Sequence, residues 1–424
     1  MTPASPAREP LPRAVWLLSW VSFFADVSGE LVYPVLPLFL VHVLGSTKAQ
    51  VGGIEGAAVL VVAIMSAYAG FRSDRSKRRV PWIRAGYGLP VLGKALIAVA
   101  SAWPLVLGGR LLDRFGKGLR GAPRDALIAD AAGAAQRGRA FGVHRAFDTA
   151  GALVGVLGAA FLLWWLTGTP ARPSAATDVV LVRAETPAWV YRLIFGIGSA
   201  LGLAALVLTF LVRESEPSPR PSSVSGPAPA GRAPGPAPFS RSYRAMLAVL
   251  VLFSLANSSD TFLLLRASDL GLSPWTVVLV YALYNVTYAA LSYPAGAWSD
   301  RWGRWRLIAV GWGIYAVVYA GFAWLPASRA WGLWPLMALY GAYMALTDGV
   351  GKALIADLAP RERRGAAMGI YYALTGLTTL LASVAAGLLW DVFGAPAAFL
   401  LGAGSATVAL VALLFFRPGP RATG

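Results

Sequence analysis

Across 424 residues the chain carries 57% hydrophobic residues, 13% charged residues and 16 Trp, more apolar surface than a water-soluble core can bury, so a soluble globular protein is excluded. Lys and Arg total 37 against 20 acidic residues, a surplus that membrane topology explains without nucleic-acid binding. The absence of cysteine removes disulfides, thiolate metal sites and cysteine nucleophiles.

One crossing needs about 20 residues, and the apolar runs divide into about twelve. They lie near residues 14–44, 49–71, 81–101, 103–131, 139–166, 189–213, 243–268, 275–298, 306–325, 331–358, 366–389 and 396–416. The predicted class is therefore an all-α integral membrane protein. Residues 1–13 read as a polar, Pro-rich cytoplasmic tail, and the run after them is far longer than the apolar core of a cleaved signal peptide. The predicted inward loops hold Arg72, Arg75, Lys77, Arg78, Arg79, Arg137, Arg139, Arg301, Arg304, Arg306, Arg361, Arg363 and Arg364, whereas the outward loops offer Lys48, Arg172, Arg183 and Arg329. The positive-inside rule then places both termini in the cytoplasm of a multi-pass plasma-membrane protein, most simply a bacterial inner-membrane one.

Ionisable groups inside a membrane are costly, so each needs a partner, water or a function. In the first run, Asp26 and Glu30 are four residues apart and share a helical face that should point into the bundle. The fourth run is more heavily charged. It carries Arg110, Asp113, Arg114, Lys117, Arg120 and Arg124, with Arg110 roughly 10 Å below an outer end near Trp103. Arg110, Arg114 and Lys117 line one face. A cation there beside Asp26 or Glu30 would hold the carboxylate charged, burial would neutralise it, and a group exchanging those environments can carry a proton. The other reading is a permanent salt-bridge network of Asp26, Glu30 and Asp113 with those cations. Five cations exceed the acids available, which also suits an anionic ligand through bidentate Arg contacts.

The fifth run brings His144, Arg145 and Asp148, of which Arg145 and Asp148 are spaced to pair. Residues 214–241, rich in Pro, Ser, Gly and Ala, read as a cytoplasmic tether between two halves, 14–213 and 242–416, with 417–424 as a C-terminal cytoplasmic tail. In the second half, Asn257, Ser258 and Asp260 interrupt the seventh run, and Tyr281, Asn285, Tyr288 and Ser292 form a polar-aromatic face on the eighth that could bind solute across a cavity. In the tenth, Asp348 and Lys352 are spaced for an intrahelical pair.

Three signatures recur in the same order in both halves. Gly70-Phe-Arg-Ser-Asp-Arg75 returns as Gly296-Ala-Trp-Ser-Asp-Arg301, Ala126-Leu-Ile-Ala-Asp130 as Ala353-Leu-Ile-Ala-Asp357, and Arg137-Gly138 with Gly142 as Arg364-Gly365 with Gly369. One duplication accounts for all three. On these motifs the chain resembles the major facilitator superfamily over nearly its whole length. The family's loop motif, Gly-x-Leu-Ala/Ser-Asp-Arg-x-Gly-Arg-Arg/Lys, is kept in the second copy by Gly296, Ser299-Asp300-Arg301, Gly303 and Arg304. The first copy differs at Arg72 and Lys77. The resemblance implies two pseudo-symmetric six-helix bundles, and it implies cytoplasmic latches at Asp74 with Arg75 and at Asp300 with Arg301 and Arg304. Arg110 and Gly116 match the family's fourth-helix motif Arg-x-x-Gln-Gly-x-Gly, whose Arg is linked to proton coupling. Asp113 and Arg114 replace its Gln and first Gly. Gly151, Gly155 and Gly158 only partly match the antiporter motif, with Val156 in place of its Pro.

Gly116 to Gly121 satisfies GxGxxG, but no strand precedes it, so it is not a dinucleotide loop. No Walker A sequence occurs, and two His, His42 and His144, do not make a histidine-rich metal site. The expectation is a non-enzymatic, monomeric secondary transporter with no cofactor and no metal centre. It works by alternating access and is coupled to protons, and it moves a small organic or anionic solute. Substrate or coupling residues are Asp26, Glu30, Arg110, Asp113, Arg114, Lys117, Asn257, Asp260, Tyr281, Asn285 and Tyr288. A multidrug or toxic-compound exporter is the alternative within transport. A non-transporting receptor or scaffold of the same fold, or a membrane-embedded enzyme, lies outside it.

Overall fold

The computed structural model describes residues 10–76, 78–168, 186–213, 239–359 and 364–416. Most of the N-terminal tail, most of the predicted tether and the C-terminal tail lie outside these residues. The helices are α1 (Arg13–Val32), α2 (Leu36–His42), α3 (Lys48–Ser76), α4 (Val80–Ala98), α5 (Trp103–Thr167), α6 (Ala188–Thr209), α7 (Arg241–Ser254), α8 (Thr261–Asp269), α9 (Pro274–Trp302), α10 (Arg304–Trp324), α11 (Leu333–Leu358), α12 (Arg364–Phe393) and α13 (Ala395–Phe415). No strand occurs among the described residues.

Two predicted crossings are broken rather than continuous. The first splits into α1 and α2 at Tyr33-Pro34-Val35, where Pro34 lacks the N–H that an unbroken helix would use. The seventh splits into α7 and α8 around Asn257-Ser-Ser-Asp260, short polar side chains that compete with the helix for backbone hydrogen bonds. The corresponding helices of the two halves thus break at corresponding depth.

The fourth and fifth predicted crossings, by contrast, are joined in α5, helical over 65 residues with no intervening loop. It is not a straight rod. Arg124 Nη1 donates to Ser22 Oγ at 2.9 Å, and His144 Nε2 lies 3.0 Å from the same oxygen. On a straight helix those two residues would stand about 30 Å apart, beyond the combined reach of both side chains. The chain therefore reverses between them and forms two antiparallel arms, as the separate crossings require.

Helices α1, α4, α5 and α6 pack together, as do α9, α10, α11 and α13; the halves meet chiefly where α3 lies along α12 and α5 along α9. The α3–α12 seam is close because glycine allows it. A Cβ on Gly52 would overlap the Ser383 carbonyl, and one on Gly387 the backbone of Lys48 and Ala49. At the end of the bundle marked by Lys48, Asp391 accepts the Lys48 and Ala49 N–H groups at 2.9 Å each, satisfying the α3 N-terminus from the other half. His42 Nε2 lies 3.0 Å from Ser268 Oγ, and Lys48 Nζ 4.0 Å from Asp269. This end is joined across the halves. At the opposite end, marked by Arg304, Arg79 pairs with Asp130 and Arg304 pairs with Asp357 at 3.1 Å, each within its own half. Between the halves there, a crevice of about 430 Å³ is lined by Arg145, Tyr288, Arg304 and Asp348.

Among the described residues, eight helical segments are long and apolar enough by themselves to cross a membrane. The four predicted crossings outside that set lie on α4, the first arm of α5, α7 with α8, and α11, each of which carries charged residues or is broken into shorter helices. Such segments need the rest of the bundle to sit in lipid. Replacing Gly52 by Leu should wedge the α3–α12 seam. With no native cysteine to interfere, thiol labelling of a Ser268→Cys reporter should rise in that variant; equal labelling would show that the seam does not hold the Lys48 end.

Candidate functional site

Arg110 and Glu55 form the best-paired intramembrane contact. Arg110 Nε donates to Glu55 Oε1 at 2.8 Å and Nη2 to Oε2 at 2.7 Å, both side chains being almost wholly buried. The planar fork of a guanidinium matches a carboxylate in this bidentate geometry. The Arg110 guanidinium also lies 5.2 Å from the ring of Tyr33, at the break between α1 and α2. Asp113, one turn along α5, accepts from Lys94 of α4 at 2.9 Å and lies 3.6 Å from Arg110 and 3.4 Å from Arg114. Glu55, Arg110, Asp113, Lys94 and Arg114 are thus one connected network across α3, α4 and α5.

The expected pairing of Arg110 with Asp26 or Glu30 is therefore replaced by pairing with Glu55, which the sequence reading passed over. A signal for it existed. Glu55 lies seven residues from the start of α3 and Arg110 seven from the start of α5, and both helices begin at the same end, so both side chains reach about 10 Å in. Lys94 was missed in the same way.

Deeper in, Lys117, Asp26 and Glu30 face one another. The charged groups around Asp26 are Asp148, Lys117, Arg120 and Arg124; around Glu30 they are Lys117, Asp26, Arg114 and Arg110. None of Asp26, Glu30 and Lys117 makes an ion pair within 4.0 Å among the described residues. Glu30 Oε2 has no hydrogen-bond partner. Lys117 is exposed and the residues Asp26 and Glu30 are half-buried, with Glu30 Oε2 itself buried, although all three lie among charged groups inside the bundle. They line an internal space rather than a packed core. The other two cations of this arm are held elsewhere: Arg120 sits 4.4 Å from the Tyr87 ring, and Arg124 pairs with Asp125 at 2.9 Å. In the second arm Asp148 lies 3.5 Å from His144 Nδ1, so His144 takes the place expected of Arg145.

The second half answers this charge with tyrosine. Asp260, at the α7–α8 break, accepts from Tyr340 at 2.6 Å and Tyr284 at 3.4 Å. Tyr281 continues the aromatic set to Tyr33 across the halves, with ring centroids 5.7 Å apart. Asn285 donates to the Tyr281 carbonyl of its own helix at 3.0 Å. Tyr288 donates to Asp348 at 3.1 Å, and Lys352 pairs with Asp348 at 2.7 Å, the intrahelical pair expected from spacing. Asn257 Oδ1 is buried without a partner and belongs to the wall of a cavity of about 300 Å³ shared with Asp348 and Lys352. The side chains of Asp74, Arg75 and Asp300 lie outside the described residues. Arg301 is exposed, and Arg304 is paired with Asp357 as noted above.

A family model described as Major Facilitator Superfamily matches residues 18–350 and 261–424. The chain belongs to the major facilitator superfamily. An uncharacterized MFS-type transporter of Methanocaldococcus jannaschii is 30% identical over 96% of this chain and 95% of its own length. The multidrug resistance protein MdtH of Cronobacter sakazakii is 28% identical over 80% of this chain and 77% of its own. Among solved structures, the nucleoside transporter NupG superposes with a TM-score of 0.73 at 13% identity, covering 96% of this chain and all of that one; at that identity it shows the fold alone. The chain is accordingly an MFS transporter, a multi-pass membrane protein built as two six-helix bundles, as the repeated motifs implied.

Because Glu55 and Arg110 are buried together, removing Glu55 strips Arg110 of its bidentate partner and leaves it only the longer ion-pair contact to Asp113 at 3.6 Å. Glu55→Gln should lower stability in detergent by about 3–5 kcal/mol, read as a drop in melting temperature. Glu55→Gln combined with Arg110→Met should recover part of that loss; a double variant no better than the single one would show that the pairing is not what stabilises this region.

Proposed function

We propose that this MFS transporter is a secondary active one, driven by protons, that moves a small organic or anionic solute by alternating access. The observation carrying this reading is the set of Asp26, Glu30 and Lys117, which face an internal space without a fixed ion pair. A charge locked in a buried network serves packing, as Glu55 and Arg110 do. Carboxylates beside an unclamped ammonium can instead change partner when the halves move, and so take up a proton in one state and release it in the other.

The crevice at the Arg304 end and the cross-half contacts at the Lys48 end support an inward-facing state, with the Lys48 end outside and both termini in the cytoplasm. Residues 14–213 and 242–416 would then move as two bodies around the central space in a single chain. In the outward-facing state, the loop motifs of Asp74 with Arg75 and of Asp300 with Arg301 and Arg304 would close the cytoplasmic side. Asp391, seated on the α3 N-terminus, supplies the counterpart on the outer side.

A second reading, efflux of drug-like compounds, draws on the likeness to MdtH and on the tyrosine-lined second half. Aromatic walls accept varied apolar solutes. The two readings separate in proteoliposomes, where a solute screen is run under an imposed pH gradient. Asp26→Asn and Glu30→Gln should each abolish gradient-driven accumulation while exchange of solute without a gradient continues. Full gradient-driven accumulation in both variants would remove these residues from coupling, and accumulation of many unrelated apolar compounds would favour efflux.

A further inference from the structure

We propose that the cavity of about 300 Å³ in the second half binds a small zwitterion of amino-acid type, with the solute's ammonium on Asp348 and its carboxylate on Lys352. This deepens the transport reading above and rests on it. The cavity is walled by Asn257, Trp312, Tyr343, Thr347, Asp348 and Lys352, among others, from α7, the α7–α8 break, α10, α11 and α12.

The argument begins with where the ion pair stands. Asp348 and Lys352 lie ten and six residues before the end of α11, about 15 and 9 Å along the helix from the Arg304 end. At that depth a purely structural pair would be packed away, as Arg110 and Glu55 are at 4% and 6% side-chain exposure. Lys352 and Asp348 instead keep 39% and 35%. Both open onto the cavity, and Asp348 also borders the crevice between the halves, where Arg145 and Arg304 lie. Tyr288 donates to Asp348 and holds the carboxylate in place.

Charge balance then selects the ligand. A simple anion drawn to Lys352 would displace Asp348 and leave a carboxylate unpaired inside the membrane, while a simple cation on Asp348 would strand Lys352. A zwitterion exchanges one internal pair for two external ones and changes the net charge of the site by nothing. The orphaned Asn257 Oδ1 in the same wall requires a donor, which an ammonium supplies. Phe253 stacks on Trp312 with centroids 4.4 Å apart and forms an apolar wall for the rest of the solute. The volume, at the lower end of small-molecule pockets, suits a single amino acid rather than a large drug.

The test is isothermal titration of the purified full chain with each of the twenty standard amino acids. Any amino acid that binds is then compared with its decarboxylated amine and its deaminated acid. The expected result is that at least one amino acid binds and that both singly charged analogues bind at least about tenfold more weakly. Lys352→Gln should lose binding by a similar factor while Lys352→Arg retains it, with melting temperatures confirming that both fold. Because the analogue series uses the unaltered protein, it decides the matter even if a variant fails to fold. No binding by any amino acid, an analogue that binds as well as the parent, or unchanged binding in folded Lys352→Gln would each overturn the proposal. Amino-acid binding without pH-driven uptake would leave this site standing and remove the coupling reading; pH-driven uptake of another solute without amino-acid binding would do the reverse.

Discussion

The buried contact between Glu55 and Arg110 is the constraint around which the first half is arranged. It joins α3 to α5 by two charge-assisted hydrogen bonds. Through Asp113 and Lys94 it extends to α4. Each of these charges would be prohibitive alone in hydrocarbon, and each becomes tolerable only when the others are in place. Assembly of the helices and satisfaction of the charges are therefore one event. The same network stands Arg110 against Tyr33 at the break between α1 and α2, which ties the discontinuity of the first crossing to a fully paired, buried set of charges.

The second half solves the equivalent problem with different chemistry. Where the first half sets Asp113 among cations, the second surrounds Asp260 with tyrosine hydroxyls. An acid bonded to phenols needs no counter-charge, and a phenol surface is apolar enough to pack against a neighbouring helix. A duplicated scaffold has thus diverged into a charged half and an aromatic half. The space between them has carboxylates and an ammonium on one side and rings on the other.

Two kinds of charge can be told apart by exposure within the bundle. Glu55, Arg110, Asp113 and Lys94 are enclosed and mutually paired. Asp26, Glu30, Lys117, Asp348 and Lys352 border internal space. Enclosed pairs specify how helices fit, since separating them is costly in every state. Bordering charges are free to exchange partners at smaller cost than enclosed ones.

Much of this was legible in the sequence because membrane insertion depends on local composition. Apolar runs of the required length, cations in alternate loops, and motifs repeated in order are properties of short stretches, so the all-α class, the duplication and the superfamily resemblance followed from them. The interruption at Asn257 to Asp260 and the pairing of Asp348 with Lys352 were equally local. Which charges meet across helices was not. Helical spacing says which residues share a face of one helix, but the partner of Arg110 depends on which neighbour that face turns toward, and only the packed bundle decided for Glu55 over Asp26 or Glu30. The same holds for His144 on Asp148 and for Asp391 on the start of α3. Sequence determines what must be buried and what must be neutralised; the packing of helices against one another decides by what.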